Sequence, residues 1–330
     1  MAGELWRSYF QVGLETTAGT TVAATRRMYW DVDGSSFTRE RAPRPYRFAT
    51  GGRDNVRAMT LGPTVVSGKI KVPLSASEIV ELLLAGIKGG VTPTTPGGTT
   101  PRLWTFVPGS TALAPMTIEW YDGARGWDIG GCYVDKLKFT GSADGEAMVE
   151  ADIFGMNMAV ATPTGSLTER VPDFIEGWET KLWVDAFAGT PGTTQKTGEL
   201  INWSVEISNG LERKYFANNT LNAGAIVIDQ IEVKANLTYE ASSTESATEF
   251  SNWDAATKRL VRLDFGNNEV IETTYKKFVT IDLPGAWDAF NLSGTDKKTR
   301  TYELGLQYIY DTTNAFGLQI RAQNARATAW

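Results

Sequence analysis

Polar and apolar residues alternate strictly along several stretches of the chain. Ile231, Val233, Ala235, Leu237 and Tyr239 interleave with Glu232, Lys234, Asn236, Thr238 and Glu240 without a break. A period of two puts successive side chains on opposite faces, so this segment predicts a half-buried strand. The same pattern predicts strands at Ile201, Trp203, Val205 and Ile207, and at Tyr302, Leu304, Leu306, Tyr308 and Tyr310. A weaker version sets Ala147, Val149, Ala151 and Ile153 against Met148, Glu150, Asp152 and Phe154. Strands at short intervals, divided by Gly, Asn, Asp and Thr turns, point to antiparallel sandwiches or barrels.

Helical patterning is scarce. Its clearest case opens on Ser75-Ala76-Ser77-Glu78, runs through Ile79-Val80-Glu81-Leu82-Leu83-Leu84-Ala85 and stops at the glycines from Gly86 to Gly90. Ser75 and Glu78 have the spacing of a capping box, and the apolar face behind them needs a sheet to cover it. Two Gly/Thr-rich stretches, 89–101 and 187–199, predict loops, and 161–172 (ATPTGSLTERVP) predicts a linker between two strand-rich halves.

Those halves are related. An offset of 167 carries Ser75 and Glu78 onto Ser242 and Glu245, Arg47-Phe48 onto Lys214-Tyr215, and Ile70 and Val72 onto Leu237 and Tyr239. An offset of 157 then carries Leu103, Trp104 and Phe106 onto Leu260, Val261 and Leu263. Several matches in one order favour an internal duplication. The expected fold is mainly β: two tandem antiparallel β-sandwich domains, each with one flanking α-helix, over 1–160 and 173–330.

Composition removes much chemistry. The 330 residues contain no histidine, which excludes Ser-His-Asp and Cys-His catalysis and His-based metal sites. The one cysteine, Cys132, sits in an apolar run and reads as a buried, inert thiol. Phosphate-cradling glycine loops are missing, so no cofactor is implied. Paired acids such as Glu150 and Asp152 would suit a glycosidase, but 38 acids make such pairs by chance. No 18-residue apolar run occurs, and the opening MAGELWR lacks the regions of a signal peptide, so residence in a cytoplasm without membrane insertion is expected.

The charge is uneven. Between Phe37 and Thr60, Arg39, Arg41, Arg44, Arg47, Arg53 and Arg57 face only Glu40 and Asp54, a local +4 in a chain of net −6. A long loop is expected here, with Pro43, Pro45, Gly51 and Gly52 but also Tyr46, Phe48, Val56 and Met59. Docking between subunits, a solvated loop and a nucleic-acid grip all fit such a segment, and the acidic remainder opposes the last.

The opening Tyr9-Phe10-Gln11-Val12-Gly13-Leu14-Glu15-Thr16-Thr17-Ala18-Gly19-Thr20 resembles the G-x-E-T-x-x-G-T segment of tail tube proteins from phages with long non-contractile tails. The resemblance continues through Val22-Ala23-Ala24-Thr25-Arg26, the arginine segment, the strand–helix unit and Gly130-Gly131-Cys132-Tyr133-Val134. It implies β-sandwiches that close into rings, and rings that stack into the tube through which DNA leaves the virion. With a duplicated domain, three chains would make a pseudo-six-fold ring. The implied partners are the chain itself, a tape measure protein, a tail terminator and distal tail or baseplate proteins. Double-stranded DNA would pass through unbound. The implied location is the virion tail, with assembly in the host cytoplasm.

On this reading the six arginines are inter-ring contact candidates. The acids on alternating strands, Glu150, Asp152, Glu232, Glu240, Glu269, Glu272 and Asp282, are candidates for a lumen that repels phosphate. Rival readings are a porin-like β-barrel channel, which the terminal Trp330 and tyrosine-rich strands would suit, and a β-sandwich binding module stacking sugars or a protein on Trp104, Trp120 and Trp127.

Overall fold

Each stretch of alternating polarity is a strand in the computed structural model, which describes residues 4–50 and 53–330, with the side chains of 243–245, 267 and 293 outside the description. The first half contains β1 (Tyr9–Leu14), β2 (Arg26–Met28), β3 (Ser36–Arg47), β4 (Val56–Pro73), α1 (Ile79–Gly86), β5 (Arg102–Phe106), β6 (Met116–Tyr121), β7 (Gly126–Ser142), β8 (Met148–Gly155) and β9 (Asn157–Val160). The second contains β10 (Thr180–Ala186), β11 (Gln195–Lys196), β12 (Leu200–Ser208), β13 (Glu212–Lys214), β14 (Ala225–Val227), β15 (Glu232–Glu240), α2 (Ser243–Asp254), β16 (Lys258–Glu272), β17 (Tyr275–Asp296), β18 (Thr299–Tyr308) and β19 (Gln319–Asn324). Among the described residues every strand pairing is antiparallel, and the fold is mainly β with two α-helices.

One pairing scheme occurs twice. In the first half β1 pairs with β2 and β6, β4 with β3 and β8, and β7 with β6, β8 and β9. In the second, β10 pairs with β11 and β16, β15 with β12 and β18, and β17 with β16, β18 and β19. The strand holding the place of β16 is therefore β6. Leu103, Trp104 and Phe106, which the sequence offset of 157 matched to β16, lie on β5, and β5 pairs with β19. β7 can serve two sheets because it turns at Gly131, whose φ of +62° is open to glycine. Before the turn it pairs with β6 and β9, after it with β8.

Among the described residues, two pairings of full strands cross between the halves. β7 joins β12, and β5 joins β19, so β3, β4, β8, β7, β12, β15, β18 and the C-terminal part of β17 form one continuous sheet. Beneath it lies a single buried apolar cluster, from Phe10 and Val66 through Phe139 and Val205 to Leu304 and Ile320. All eight residues of α1 are buried, as its apolar sequence requires. The 161–172 stretch contains no strand but is held by its partners: Thr164 N–H donates to Glu119 (2.6 Å) and Arg170 to Glu78 (2.6 Å).

Half of the capping box forms. Ser75 Oγ accepts from Glu78 N–H (3.1 Å), and helical structure starts after this turn, at Ile79. Glu78 does not reach back to Ser75, because its carboxylate is taken by Arg170. At the second site α2 begins at Ser243; the Glu245 side chain lies outside the described residues.

Candidate assembly surfaces

The arginine segment is a β-hairpin and not a loop. β3 and β4 pair from Ser36↔Lys69 to Arg47↔Val56, with register shifts between Arg41 and Pro43 and between Tyr46 and Arg47. Alternation of apolar and polar residues fails here because neither face is buried: from Ala42 to Leu61 every described residue is exposed. At about 3.3 Å per residue, the paired arm beyond Arg41 and Thr64 projects by ~20 Å. Arg39, Arg41, Arg44 and Arg47 lie on β3, Arg57 on β4 and Arg53 in the turn, where Gly51 and Gly52 are outside the described residues. Arg41 Nε donates to the Gly62 carbonyl (3.1 Å) and Arg57 to Thr50 Oγ1 (3.3 Å). None of the six forms an ion pair among the described residues. Interspersed with them are exposed Tyr46, Phe48, Val56, Met59 and Leu61. The base of the arm is braced by the second half: Tyr215 Oη and Arg213 donate to the Thr64 and Val66 carbonyls.

The register also fixes which end of the sheet the arm leaves. It departs beyond the Val66↔Gly155 pair, whereas the β7–β8 turn lies past Pro73↔Met148, at the other end. Beside that turn Trp178 is 68% exposed, flanked by Glu176, which bridges to Glu146. The sequence gives no periodic signal for Trp178, because it sits in a short 3-10 turn.

The continuous sheet has one apolar face, packed on the core, and one polar face. Across the polar face runs a ladder of alternating charge: Lys71, Glu150, Lys138, Glu206 and Lys234 are successive cross-strand neighbours on β4, β8, β7, β12 and β15. Opposite charges directly across an antiparallel pair are mutually stabilising. Asp152 lies one step along, between Lys69 and Lys136, and Lys69 Nζ is 2.7 Å from Glu150. Glu232 and Glu240 stand exposed at the two ends of β15 on the same face.

Three other candidate acids lie elsewhere. Asp282 is fully buried, held by Arg262 (2.5 Å) and Arg321 (3.7 Å). Glu269 pairs with Lys277 (2.7 Å). Glu272 accepts the N–H groups of Thr99 (3.0 Å) and Thr100 (2.7 Å), which hold its carboxyl below the usual range. Alternation identified polar positions without saying which strands flank them. Among the aromatic candidates, Trp104 is buried on β5, while Trp120 packs on Trp30 and Phe37. Both are packing residues; half-buried Trp127 donates from Nε1 to Asp122 (2.8 Å), with Arg125 over its ring.

The opening motif has a structural explanation. Glu15 is buried and accepts from Gly19 N–H (2.7 Å), Thr117 Oγ1 (2.7 Å) and Gly131 N–H (2.9 Å). One carboxylate thereby fixes the turn after β1, the neighbouring β6 and the bend in β7. A second buried carboxylate, Glu81 on α1, meets Arg326 (2.5 Å), Arg170 (3.2 Å) and Arg26 (3.5 Å). It ties the helix to β2, to the connecting segment and to the C-terminal segment. Burial, with Arg326 and Arg170 close by, pulls Arg26 down to about 10. Cys132 is fully buried, and burial pushes its thiol up, as expected of an inert thiol.

A broad polar-faced sheet with a projecting arm defines a protein built around extended surfaces. The family model of the phage tail tube protein matches residues 6–304, and the chain belongs to that family. No match was found among curated proteins. Family membership makes it a structural component of the virion tail that assembles with itself into a tube.

Proposed function

We propose that three copies of this chain close into a ring of six pseudo-equivalent sandwiches, and that such rings stack into the tube of a long non-contractile tail. The twice-used pairing scheme carries this reading: each half supplies the same wall unit, so one chain does the work of two. The halves are then two tail-tube domains born of a duplication. The polar face of the continuous sheet lines the lumen, and the apolar core lies outside it. DNA leaves through this bore. A tape measure protein would occupy it before ejection, with a terminator and distal tail proteins at the two ends.

Stacking needs a heterologous contact along the axis, which closes nothing and so propagates. The arginine arm leaves one end of each subunit, and Trp178 with Glu146 and Glu176 marks the opposite end. The arm thus meets a surface of complementary charge on the next ring. Negative-stain microscopy of the concentrated protein, followed by reconstruction, tests the reading. Hollow tubes with the polar sheet face inward are expected; dispersed monomers at all concentrations would overturn it.

The lumen assignment has its own test. Paired lysines and acids leave little net field on the wall, so a duplex slides past without the counterion release that would bind it. Changing exposed Glu232 and Glu240 to Lys should leave tube yield intact and slow DNA delivery on the order of tenfold. Unchanged delivery from normal tubes would place these acids away from the DNA.

A further inference from the structure

The joint between the two halves provides a template for a contact between chains. Past its bend, β7 pairs with β8 on one edge and with β12 on the other, opposing Leu137 to Ile207, Lys138 to Glu206 and Phe139 to Val205. The repeated pairing scheme supplies the equivalent of each strand in that joint. Ala151↔Leu137 in the first half corresponds to Leu304↔Phe290 in the second, and Glu150↔Lys138 to Glu303↔Asn291. On the other side, Phe37↔Gly68 corresponds to Val205↔Ala235, and Arg39↔Val66 to Ile207↔Val233. So β17 beyond Trp287 stands where β7 stands, and the first part of β3 stands where β12 stands.

Both of these strands have an open edge. Among the described residues β3 pairs only with β4, and β17 beyond Trp287 only with β18. They are the two ends of the continuous sheet. An open edge is a row of unpaired N–H and C=O groups that templates another strand. Leu292 on the β17 edge is 58% exposed, while its counterpart Phe139, covered by the joint with β12, is 1% exposed. On β3, Pro43 and Pro45 lack the N–H that would extend pairing into the arm.

We propose that the open β17 edge of one chain pairs antiparallel with the open β3 edge of a second copy, repeating the β7–β12 joint. The register is Phe290↔Arg39, Asn291↔Thr38 and Leu292↔Phe37. This inference rests on the ring reading above and specifies the contact that closes the ring. Leu292 loses its exposure to water against the partner strand, beside the cluster that Phe290 already forms with Phe250, Trp253 and Tyr302. On the polar face the uncharged pair Asn291 and Thr38 replaces Lys138 and Glu206. The joint between chains thereby differs in charge from the joint within them, which discourages a chain from docking in the wrong frame.

The test is oxidative cross-linking. Directly opposed residues in antiparallel strands have Cα atoms about 4.5–5.5 Å apart, inside the span of a disulfide. A chain with Asn291→Cys and Thr38→Cys, assembled and then oxidised, should give a non-reducing gel ladder that ends at the chain number of the ring. A chain with Leu292→Cys and Thr38→Cys places the thiols on opposite faces and should stay uncross-linked. Leu292→Lys should keep the wild-type subunit melting temperature and lower ring yield on the order of tenfold. Tubes that form without cross-linking of the first pair, or with equal cross-linking of both, would overturn the register while leaving the tube reading intact. Failure of the unaltered chain to form rings or tubes would instead overturn the tube reading.

Discussion

Replacing Glu81 with Leu is expected to remove a large share of the stability of the subunit. The carboxylate is fully buried and faces three guanidiniums, of Arg326, Arg170 and Arg26. Arg326 also donates to the Ser77 and Ala329 carbonyls, so the cluster ties the chain's last residues to the start of α1. Losing one partner of a buried ion pair costs about 3–5 kcal/mol, because the other charge is left without compensation. Against a typical total of about 5–15 kcal/mol that is a large share. Glu78→Gln is the control and should cost far less at neutral pH. Burial pushes the Glu78 carboxyl up to about 7 despite Arg170 beside it, so part of the population is already neutral. The two acids also act oppositely with pH. Burial alone would raise the Glu81 carboxyl, but Arg326 and Arg170 more than offset this and hold it below its ordinary 4.5. Its contribution is therefore complete at neutral pH and is lost as pH falls below about 4.5. The folded chain takes up a proton at Glu78 more readily than the unfolded chain, so that contribution fades as pH rises from 4.5 to 7. Urea unfolding at pH 4, 5.5 and 7.5 separates them. An E81L subunit as stable as wild type at pH 7.5 would contradict the assignment.

Part of this architecture is legible in the sequence. Where one face of a strand is buried and the other wet, alternation appears, as on β8, β12 and β15. Where both faces are wet, as on the arm, the same strand geometry leaves no periodic trace, so the arginine segment reads as a loop. The arm's exposure cancels the signal. Register is likewise invisible in a linear pattern: Asp282 alternates as well as Asp152 does, yet β17 sets it between β16 and β19, where Arg262 and Arg321 cover it. The residues related by an offset of 167 include Ile70 and Val72 on β4 and Leu237 and Tyr239 on β15, strands that each bury alternate positions. Those related by 157 lie on β5 and β16, which have different neighbours. Glu81 was visible in principle, as a lone charge within Ile79-Val80-Glu81-Leu82-Leu83-Leu84. A buried acid requires cations, but Arg26, Arg170 and Arg326 come from distant parts of the chain, and only the fold assembles them.

The largest effect on assembly is expected from the arm. Changing Arg41, Arg44 and Arg47 to Ala should leave a subunit with wild-type melting temperature that polymerises poorly. The first half of that expectation follows from burial: Arg44 and Arg47 are exposed and form no ion pair among the described residues, and Arg41 donates to the Gly62 carbonyl. The second half follows from repetition. A single surface ion pair is worth roughly 0–1 kcal/mol, too little to hold two rings together. Every subunit presents an arm, however, and contacts made in parallel around a ring multiply their effect. Exposed Tyr46, Phe48 and Met59 add apolar area that water would otherwise cover. The concentration needed for tube growth should therefore rise on the order of a hundredfold or more. Trp178→Ala, at the far end of the subunit, should raise it similarly if the arm seats there, and the two changes together should exceed neither alone by much, because they break one contact. Growth of both variants at the wild-type threshold would show that the rings stack through another surface. A lowered melting temperature in either would show that the residue serves the fold instead.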